Sequence, residues 1–240
     1  EWYQEMDDLD DFSNYPGIRA LMEAQAEWVE AKWIDSLDAY DRQTMQAQIP
    51  NISCRVQLPN YFYIPSDLYY TYGPILSREI INKGKMAALN EALGEYKRTG
   101  LTNLPTSEQI YSSEKYFANE RYDVIEIADV EIGNFELIDE GTIGSLDIVY
   151  LLQDTIGPIP AITAAVGIGG GSWKDYVDPS GNLVMTVKIS GDTSADLDEI
   201  YDAYILWGDT QKRFTEVVEQ YNGLIYNCLL YTSPSPRDGL

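Results

Sequence analysis

Residues 173–190 read WKDYVDPSGNLVMTVKIS, and this stretch carries the strongest signal for the fold. Its second half alternates, so that successive side chains of an extended chain point to opposite sides. One side receives Leu183, Met185, Val187 and Ile189, and the other receives Val184, Thr186, Lys188 and Ser190. The DPSG sequence before it is rich in turn-forming residues. We therefore predict a β-hairpin.

A helix-start signal follows the hairpin. Thr193 and Asp196 form a capping-box pattern before an apolar stripe, so we predict a helix that starts near residue 194. The Gly208-Asp209-Thr210 sequence predicts a break in that helix. A second helical stripe is predicted after the break, formed by Phe214, Val217, Val218, Tyr221 and Leu224.

Upstream of the hairpin, short β-type runs predict further strands. From Tyr122 onward the apolar residues recur about every second position, in the runs VIEI, VEI, FEL and LDIVYLL. The glycine-rich stretch VGIGGGSW at 166–173 is predicted to be a flexible connector, because no helix start follows it as a phosphate-binding loop requires. Helices flanking a mostly antiparallel sheet make the predicted fold class α+β.

The first half of the chain is predicted to be mainly helical. One long amphipathic helix is predicted over 16–47, with an acidic face opposite its apolar stripe. A second helix is predicted to open at Gly73-Pro74 and to end near Gly100. Between them, ISCRVQL at 52–58 alternates and predicts one strand, in which Cys54 points inward as a small apolar residue.

A composition shift over residues 100–121 predicts a boundary between two segments. We predict a mainly helical segment with one strand over 1–110 and an antiparallel β segment closed by C-terminal helices over 111–227. The start at Glu1, without methionine or a basic and apolar leader, is interpreted as that of a processed chain or a fragment.

The stretch CLLYTSPSPRD at 228–238 resembles the translation of a common transposase-type sequencing adapter, with all eleven residues in order. We therefore predict that residues 228–240 are a non-native tail. On that interpretation Cys228 is not biological, and Cys54 has no disulfide partner within the chain.

The charge of the chain limits its partners. It has 39 acidic and 16 basic residues, which give a formal net charge of -23. Such a field repels phosphate backbones and anionic membrane surfaces, so we predict neither nucleic acid nor a membrane as partner. The most apolar stretch, 148–168, is interrupted by Asp154, Pro158 and Pro160, which predicts no membrane span. Residues 51–100 have a slightly positive net charge, so we predict a protein partner there, including another copy of this chain.

The chain contains no histidine, and this absence limits its chemistry. It excludes Ser-His-Asp and Cys-His catalytic sites, and histidine-based zinc or non-haem iron centres. Carboxylate chemistry remains, either as acidic pairs for glycosyl transfer or as oxygen ligands for a hard cation such as Ca²⁺. The candidate cation ligands are Asp129, Glu131 and Glu136. No catalytic residue and no other cofactor is predicted.

The segment YFYIPSDLYYTY at 61–72 is aromatic at six of its twelve positions, against 12% for the whole chain. Tyrosine combines a flat apolar ring with a polar hydroxyl, which suits protein interfaces and sugar stacking alike. A loop that covers the core is a further interpretation. The candidate binding residues are these tyrosines and the basic residues of the following helix: Tyr61, Tyr63, Tyr69, Tyr70, Tyr72, Arg78, Lys83 and Lys85.

Two functions are compatible with these features. The first is a non-catalytic structural or assembly protein that self-associates, in which the aromatic and basic surface over 61–98 meets an acidic surface on a neighbour. The alternative is a carbohydrate-binding or carbohydrate-active protein that uses an acidic pair beside the aromatic segment. Because the chain has no histidine, either as a general acid or base or to activate a thiol, binding a partner is favoured over catalysis.

Overall fold

A computed structural model describes residues 16–48, 62–99, 104–128, 133–210, 214–221 and 225–232. These residues form two compact units, unit 1 within residues 1–118 and unit 2 within residues 119–240. Unit 1 is helical, and unit 2 combines helices with an antiparallel sheet. The predicted α+β class is therefore confirmed. The predicted domain ranges and the non-native tail stay predictions, because packing into units does not test them.

Unit 1 is built from helices that pack on one another. In chain order they are α1 (Pro16–Ser36), α2 (Ala39–Gln48), α3 (Ile64–Asp67), a π-helical turn (Leu68–Tyr72), α4 (Gly73–Thr99), α5 (Ser107–Tyr111) and α6 (Ser113–Ala118). The core lies where α1 meets the π turn and α4. This approach is close: a Cβ atom on Gly73 would lie 2.5 Å from the carbonyl oxygen of Ala20. The helices can therefore meet only because residue 73 is glycine.

Only the N-terminal half of α1 belongs to this core. Its buried residues end at Ala24, and none of the residues of α2 is buried. The prediction of one helix over 16–47 is wrong, because the chain leaves the helix at Leu37 and Asp38. The Asp38 carboxylate accepts a hydrogen bond of 2.8 Å from the Asp41 amide, which caps the start of α2.

The aromatic segment is helical rather than a loop over the described residues 62–72. The described helical segment begins at Ile64, and the predicted helix start at Gly73-Pro74 is confirmed, since α4 begins at Gly73 directly after the π turn. Proline has no N–H, so Pro74 cannot donate to the carbonyl four residues before it. The π turn ends at Tyr72, and the Gly73 amide that follows donates to the carbonyl of Leu68. Residue 61 and the predicted strand at 52–58 with Cys54 lie outside the described residues.

The helix predicted from residue 73 contains a break. Gly84 and Lys85 have non-helical backbone angles, and Lys85 has a φ of 59°, in the region that favours glycine. The break divides α4 into a first half that follows the π turn and a second half that begins after Lys85.

Unit 2 contains a five-stranded sheet and three helices among its described residues. Its elements are β1 (Glu136–Ile143), α7 (Ser145–Ile156), α8 (Pro158–Val166), β2 (Ile168–Val177), β3 (Leu183–Gly191), α9 (Ser194–Thr210), β4 (Phe214–Tyr221) and β5 (Ile225–Thr232). The strand order is β1-β2-β3-β5-β4, and every neighbouring pair is antiparallel.

The predicted hairpin is confirmed as β2 and β3, which pair from Val177 and Leu183 outward. Its turn is held by the Asp178 carboxylate, which accepts hydrogen bonds from the amides of Ser180 (2.9 Å) and Asn182 (2.8 Å). The predicted alternation of β3 is confirmed, and both of its sides contain buried residues. Ile189 is buried on one side and Val184 on the other. Both faces of the sheet are therefore covered at β3.

The segment 121–128 crosses one face of this sheet without regular structure. The Ser172 hydroxyl donates to the carbonyl of Ile125, and the Lys188 ammonium donates to that of Glu126 at 2.8 Å. Ser172 and Lys188 are paired across β2 and β3, so both point to the same face. The VIEI run is consequently not a strand.

The glycine-rich stretch is not a flexible connector but the first part of β2, and it is buried. Gly170 has a φ of 151°, and a Cβ atom there would lie 2.5 Å from the carbonyl oxygen of Asp123. The glycine is needed because the backbone of 121–128 passes directly over it.

Two further predictions are wrong, and two are confirmed. The run LDIVYLL lies in α7 rather than in a strand, and residues 214–221 form β4 rather than a helix. The break predicted at Gly208-Asp209-Thr210 is confirmed, since α9 ends at Thr210. The Thr193 capping box is confirmed, since the Asp196 carboxylate accepts from the Thr193 amide at 3.0 Å and the Thr193 hydroxyl accepts from the Asp196 amide at 3.3 Å.

We expect Gly170→Ala to destabilise unit 2 by at least about 1–3 kcal/mol, because alanine disfavours this φ and its methyl group meets the Asp123 backbone. Chemical denaturation measures the effect. Gly208→Ala is the matched control, since it lies in α9 with open space around its Cβ position and is expected to be neutral or stabilising by up to about 1 kcal/mol. Equal stability of Gly170→Ala and the unchanged chain would contradict the packing of 121–128 on β2.

Candidate functional site

The described tyrosines of the predicted binding site point to different sides of the helix that carries them. Tyr69 is buried, with the Arg19 guanidinium 4.8 Å from the centre of its ring. Tyr70 is 47% exposed, and its hydroxyl donates a 3.0 Å hydrogen bond to the Glu23 carboxylate. The ring of Tyr72 meets that of Tyr111 edge to face at 5.0 Å.

Two other predicted tyrosines have different surroundings. Tyr63 is exposed directly before α3, and Tyr61 lies outside the described residues. Of the tyrosines with described positions, Tyr63 and Tyr70 thus have rings available at the surface of unit 1, whereas Tyr69 serves the core. The predicted set does not form a single aromatic platform.

The π turn aims two consecutive tyrosines at one side of α1. Arg19 and Glu23 are one helical turn apart there and form an ion pair of 3.9 Å. The hydrogen bond to Glu23 raises the pKa of the Tyr70 phenol, because the phenol donates to a charged carboxylate. Burial raises the pKa of Tyr69, although the Arg19 charge opposes the shift. Both shifts are away from the ionised form, so neither phenol is activated as a nucleophile.

The predicted basic residues lie along α4. Arg78, Lys83 and Lys85 are all exposed, Arg78 and Lys83 before the break and Lys85 within it. Lys83 is more than a solvated side chain, since its ammonium lies 3.2 Å from the centre of the Phe117 ring. The sequence pattern identified the residues but not this contact, because the two positions are far apart in the chain.

A groove between α1 and the second half of α4 is a feature that the sequence analysis missed. Its volume is about 830 Å³, and it is lined by Met22, Gln25, Ala26, Val29, Glu30 and Trp33 of α1 and by Asn90 and Leu93 of α4. Val29 is 55% exposed and Trp33 is 53% exposed. The Gln25 amide donates a 3.1 Å hydrogen bond to the Asn90 side chain across the groove. The surface is therefore mostly apolar, with one polar bridge.

The signal for this groove is present in the sequence. Met22, Ala26, Val29 and Trp33 recur at a helical period and form one stripe on α1. Val29 and Trp33 of this stripe are more than half exposed because the buried residues of α1 end at Ala24.

The predicted carboxylate ligands are not brought together by the described residues. Asp129 and Glu131 lie outside them, and Glu136 is exposed at the first position of β1. A different pair is found in unit 2, where Asp139 of β1 is directly opposite Asp175 of β2. Burial raises the pKa of Asp175, and the charge of Asp139 raises it further.

The Asp139–Asp175 pair lies on the same face of the sheet as Trp173. Trp173 is paired with Gly141, two residues away along each strand, and its ring covers Gly141. Two facing carboxylates can share a proton or bind a cation. Like charges directly opposite one another lower the stability of a sheet. The pair is therefore equally explained without a ligand, as a repulsion that lowers the stability of this acidic sheet surface.

We expect Glu23→Gln to lower the pKa of the Tyr70 phenol, because a neutral amide no longer stabilises the protonated donor. An NMR titration of ¹³C-labelled tyrosine measures this pKa, and Tyr70→Phe assigns the signal. Glu27→Gln is the control, since Glu27 acts on Tyr70 only by its charge and as the smallest of the causes. An unchanged Tyr70 pKa in Glu23→Gln would contradict the hydrogen bond.

We expect Asp175→Asn to stabilise the protein at neutral pH by about 0.2–1 kcal/mol, because it removes a like-charge pair. A raised pKa means that the folded state binds the proton more tightly than the unfolded state does. The stability of the folded state therefore falls as pH rises from the ordinary aspartate pKa of 3.8 through the raised pKa of Asp175. Well below pH 3.8 the carboxyl group is uncharged in both states, so the gain in stability from Asp175→Asn should vanish there. Urea unfolding at neutral and acidic pH measures this difference.

Asp139→Asn removes the other charge of the pair, so the double variant should gain less than the sum of the two single variants. A loss of stability in Asp175→Asn at neutral pH would show instead that the carboxylate has a favourable partner.

Among the described residues, no helix is long and apolar enough to cross a membrane. Comparisons of the chain with protein-family models, with curated proteins and with solved structures found no match. The functional argument therefore rests on the surfaces described above.

Proposed function

We propose that the protein is a non-catalytic structural or assembly protein that self-associates through the groove of unit 1. The observation that carries this proposal is the apolar stripe of α1, in which both Val29 and Trp33 are more than half exposed. Burial of apolar surface contributes about 25 cal/mol per Å², so a contiguous uncovered stripe favours a state in which a partner covers it.

The composition of the groove suits a protein partner. Tryptophan is enriched among the residues that dominate binding energy at protein interfaces, especially where it is surrounded by other apolar side chains. Trp33 has Val29 and Met22 on the same stripe. The exposed tyrosines Tyr63 and Tyr70 add aromatic surface elsewhere on unit 1.

The charge and the chemistry of the chain support the same class of function. A net charge of -23 disfavours nucleic acid as the partner. The chain has no histidine, which is the side chain most often used for acid–base catalysis near neutral pH. Binding is thus better supported than catalysis by the groups that are described.

The carbohydrate function and the Ca²⁺ site stay predictions. Two of the three candidate carboxylates, Asp129 and Glu131, lie outside the described residues, so the acidic pair expected beside the aromatic segment is not tested.

We expect the full chain to form complexes larger than its monomer mass of 27.1 kDa as concentration rises, as measured by sedimentation velocity and mass photometry. Trp33→Ala should weaken this association by about tenfold or more, because a central aromatic anchor contributes at least about 1.4 kcal/mol. Tyr40→Ala is the matched control, since Tyr40 is 76% exposed on α2 and does not line the groove. A monomer at every concentration would overturn the proposed function.

A further inference from the structure

We infer that self-association is head to tail: the groove of one copy receives the exposed basic and apolar surface on the first half of α4 of a second copy. This inference rests on the proposed function and names the surface that fills the groove. It follows from the charges on the two surfaces and from the positions of the residues that carry them.

The groove is bordered by acidic side chains. Glu30 lines it, and Glu27 lies one helical turn before Glu30 on the same side of α1. Lys32 is paired with Asp35 at 3.8 Å and Glu23 with Arg19 at 3.9 Å, so these two ion pairs add no net charge. Among the described residues, Glu27 and Glu30 therefore give the border of the groove a negative charge.

That charge disfavours a symmetric contact between two grooves. A two-fold contact brings a surface against the same surface of the second copy, so the glutamates of the two borders would approach one another. Like charges across an interface oppose association, and the opposition grows as water is excluded. A basic surface on the second copy removes this cost and adds attraction.

The first half of α4 provides such a surface. Ile75, Arg78 and Asn82 fall at i, i+3 and i+7 and are all exposed, whereas Leu76 and Ile80 on the other side of the helix are buried. Ile75 is 45% exposed, so an apolar side chain stands beside the basic ones. This outward stripe offers an apolar contact for Trp33. Arg78, together with the exposed Lys85 at the break, provides positive charge for the acidic border, of which Glu79 on the same side of the helix offsets one unit. We call this surface the α4 stripe.

A head-to-tail contact leaves each copy with one unused groove and one unused α4 stripe. Further copies can therefore add at both ends, which gives a closed ring if the rotation between copies closes and an open filament if it does not. Because attraction between opposite charges contributes, the assembly should weaken as salt concentration rises. A purely apolar contact would not weaken in this way.

The test uses two variants of the full chain that each lose one of the two surfaces. Arg78→Glu/Lys85→Glu reverses the α4 stripe, and Val29→Lys/Trp33→Ala removes the groove. Lys83 is left unchanged because it contacts Phe117. All four positions are exposed, so both variants should fold, and circular dichroism and thermal unfolding check this. Gln43→Glu/Gln46→Glu/Gln48→Glu on α2 is the matched control, since it lowers the net charge of unit 1 nearly as much, by three units against four, at exposed positions that neither line the groove nor belong to the α4 stripe.

We expect each surface variant alone to associate about tenfold or more weakly than the unchanged chain, and the control to associate at least as well. Mixed together, the two surface variants should form one-to-one complexes that do not grow, because only one intact contact remains. Differently labelled chains in mass photometry and sedimentation measure the ratio.

Three results would overturn the inference while leaving self-association intact. They are unweakened association of Arg78→Glu/Lys85→Glu, a mixture that forms no one-to-one complex, and a wild-type dimer that does not grow and resists salt. A wild-type chain that stays monomeric at every concentration would overturn the proposed function itself, so the two failures are distinguishable.

Discussion

The close packing of α1 on the π turn and α4 is the constraint on which unit 1 depends. Ala20 and Gly73 bring the two helices together at a distance that no larger residue at position 73 would allow. The contact fixes the N-terminal half of α1 and buries it as far as Ala24. None of the α1 residues beyond it is buried, and Val29 and Trp33 are more than half exposed as a consequence. The groove is thus a result of where the core ends.

Local signals in the sequence predicted the local structure well. The β2–β3 hairpin could be predicted because alternation and the DPSG turn lie within one short stretch, and the capping box of Thr193 and Asp196 lies within four residues. The α+β class followed from these elements together with the helical patterns of the first half. In each case the residues that determine the structure are neighbours in the chain.

The elements that were predicted wrongly depend on distant residues. An apolar run such as LDIVYLL fits a buried strand and a buried helix equally well, and its neighbours in space decide between them. The glycines of VGIGGGSW predicted a flexible connector. Gly170 is instead required by packing, because the segment 121–128 passes directly over it. The Asp139–Asp175 pair depends on strand register, and the exposure of Trp33 depends on the extent of a core that no local pattern reports.

The position of β1 at one edge of the sheet gives a different meaning to Glu136, one of the residues that first suggested a cation site. An edge strand leaves backbone donors and acceptors open to pairing with another molecule, and charged side chains and bulges discourage such pairing. β1 carries Glu136, Asp139 and Glu140, and its register shifts between Leu137 and Asp139. The acidic side chains and the bulge of β1 therefore oppose amyloid-like growth from this edge, even though the Asp139 charge is repelled by Asp175 within the sheet.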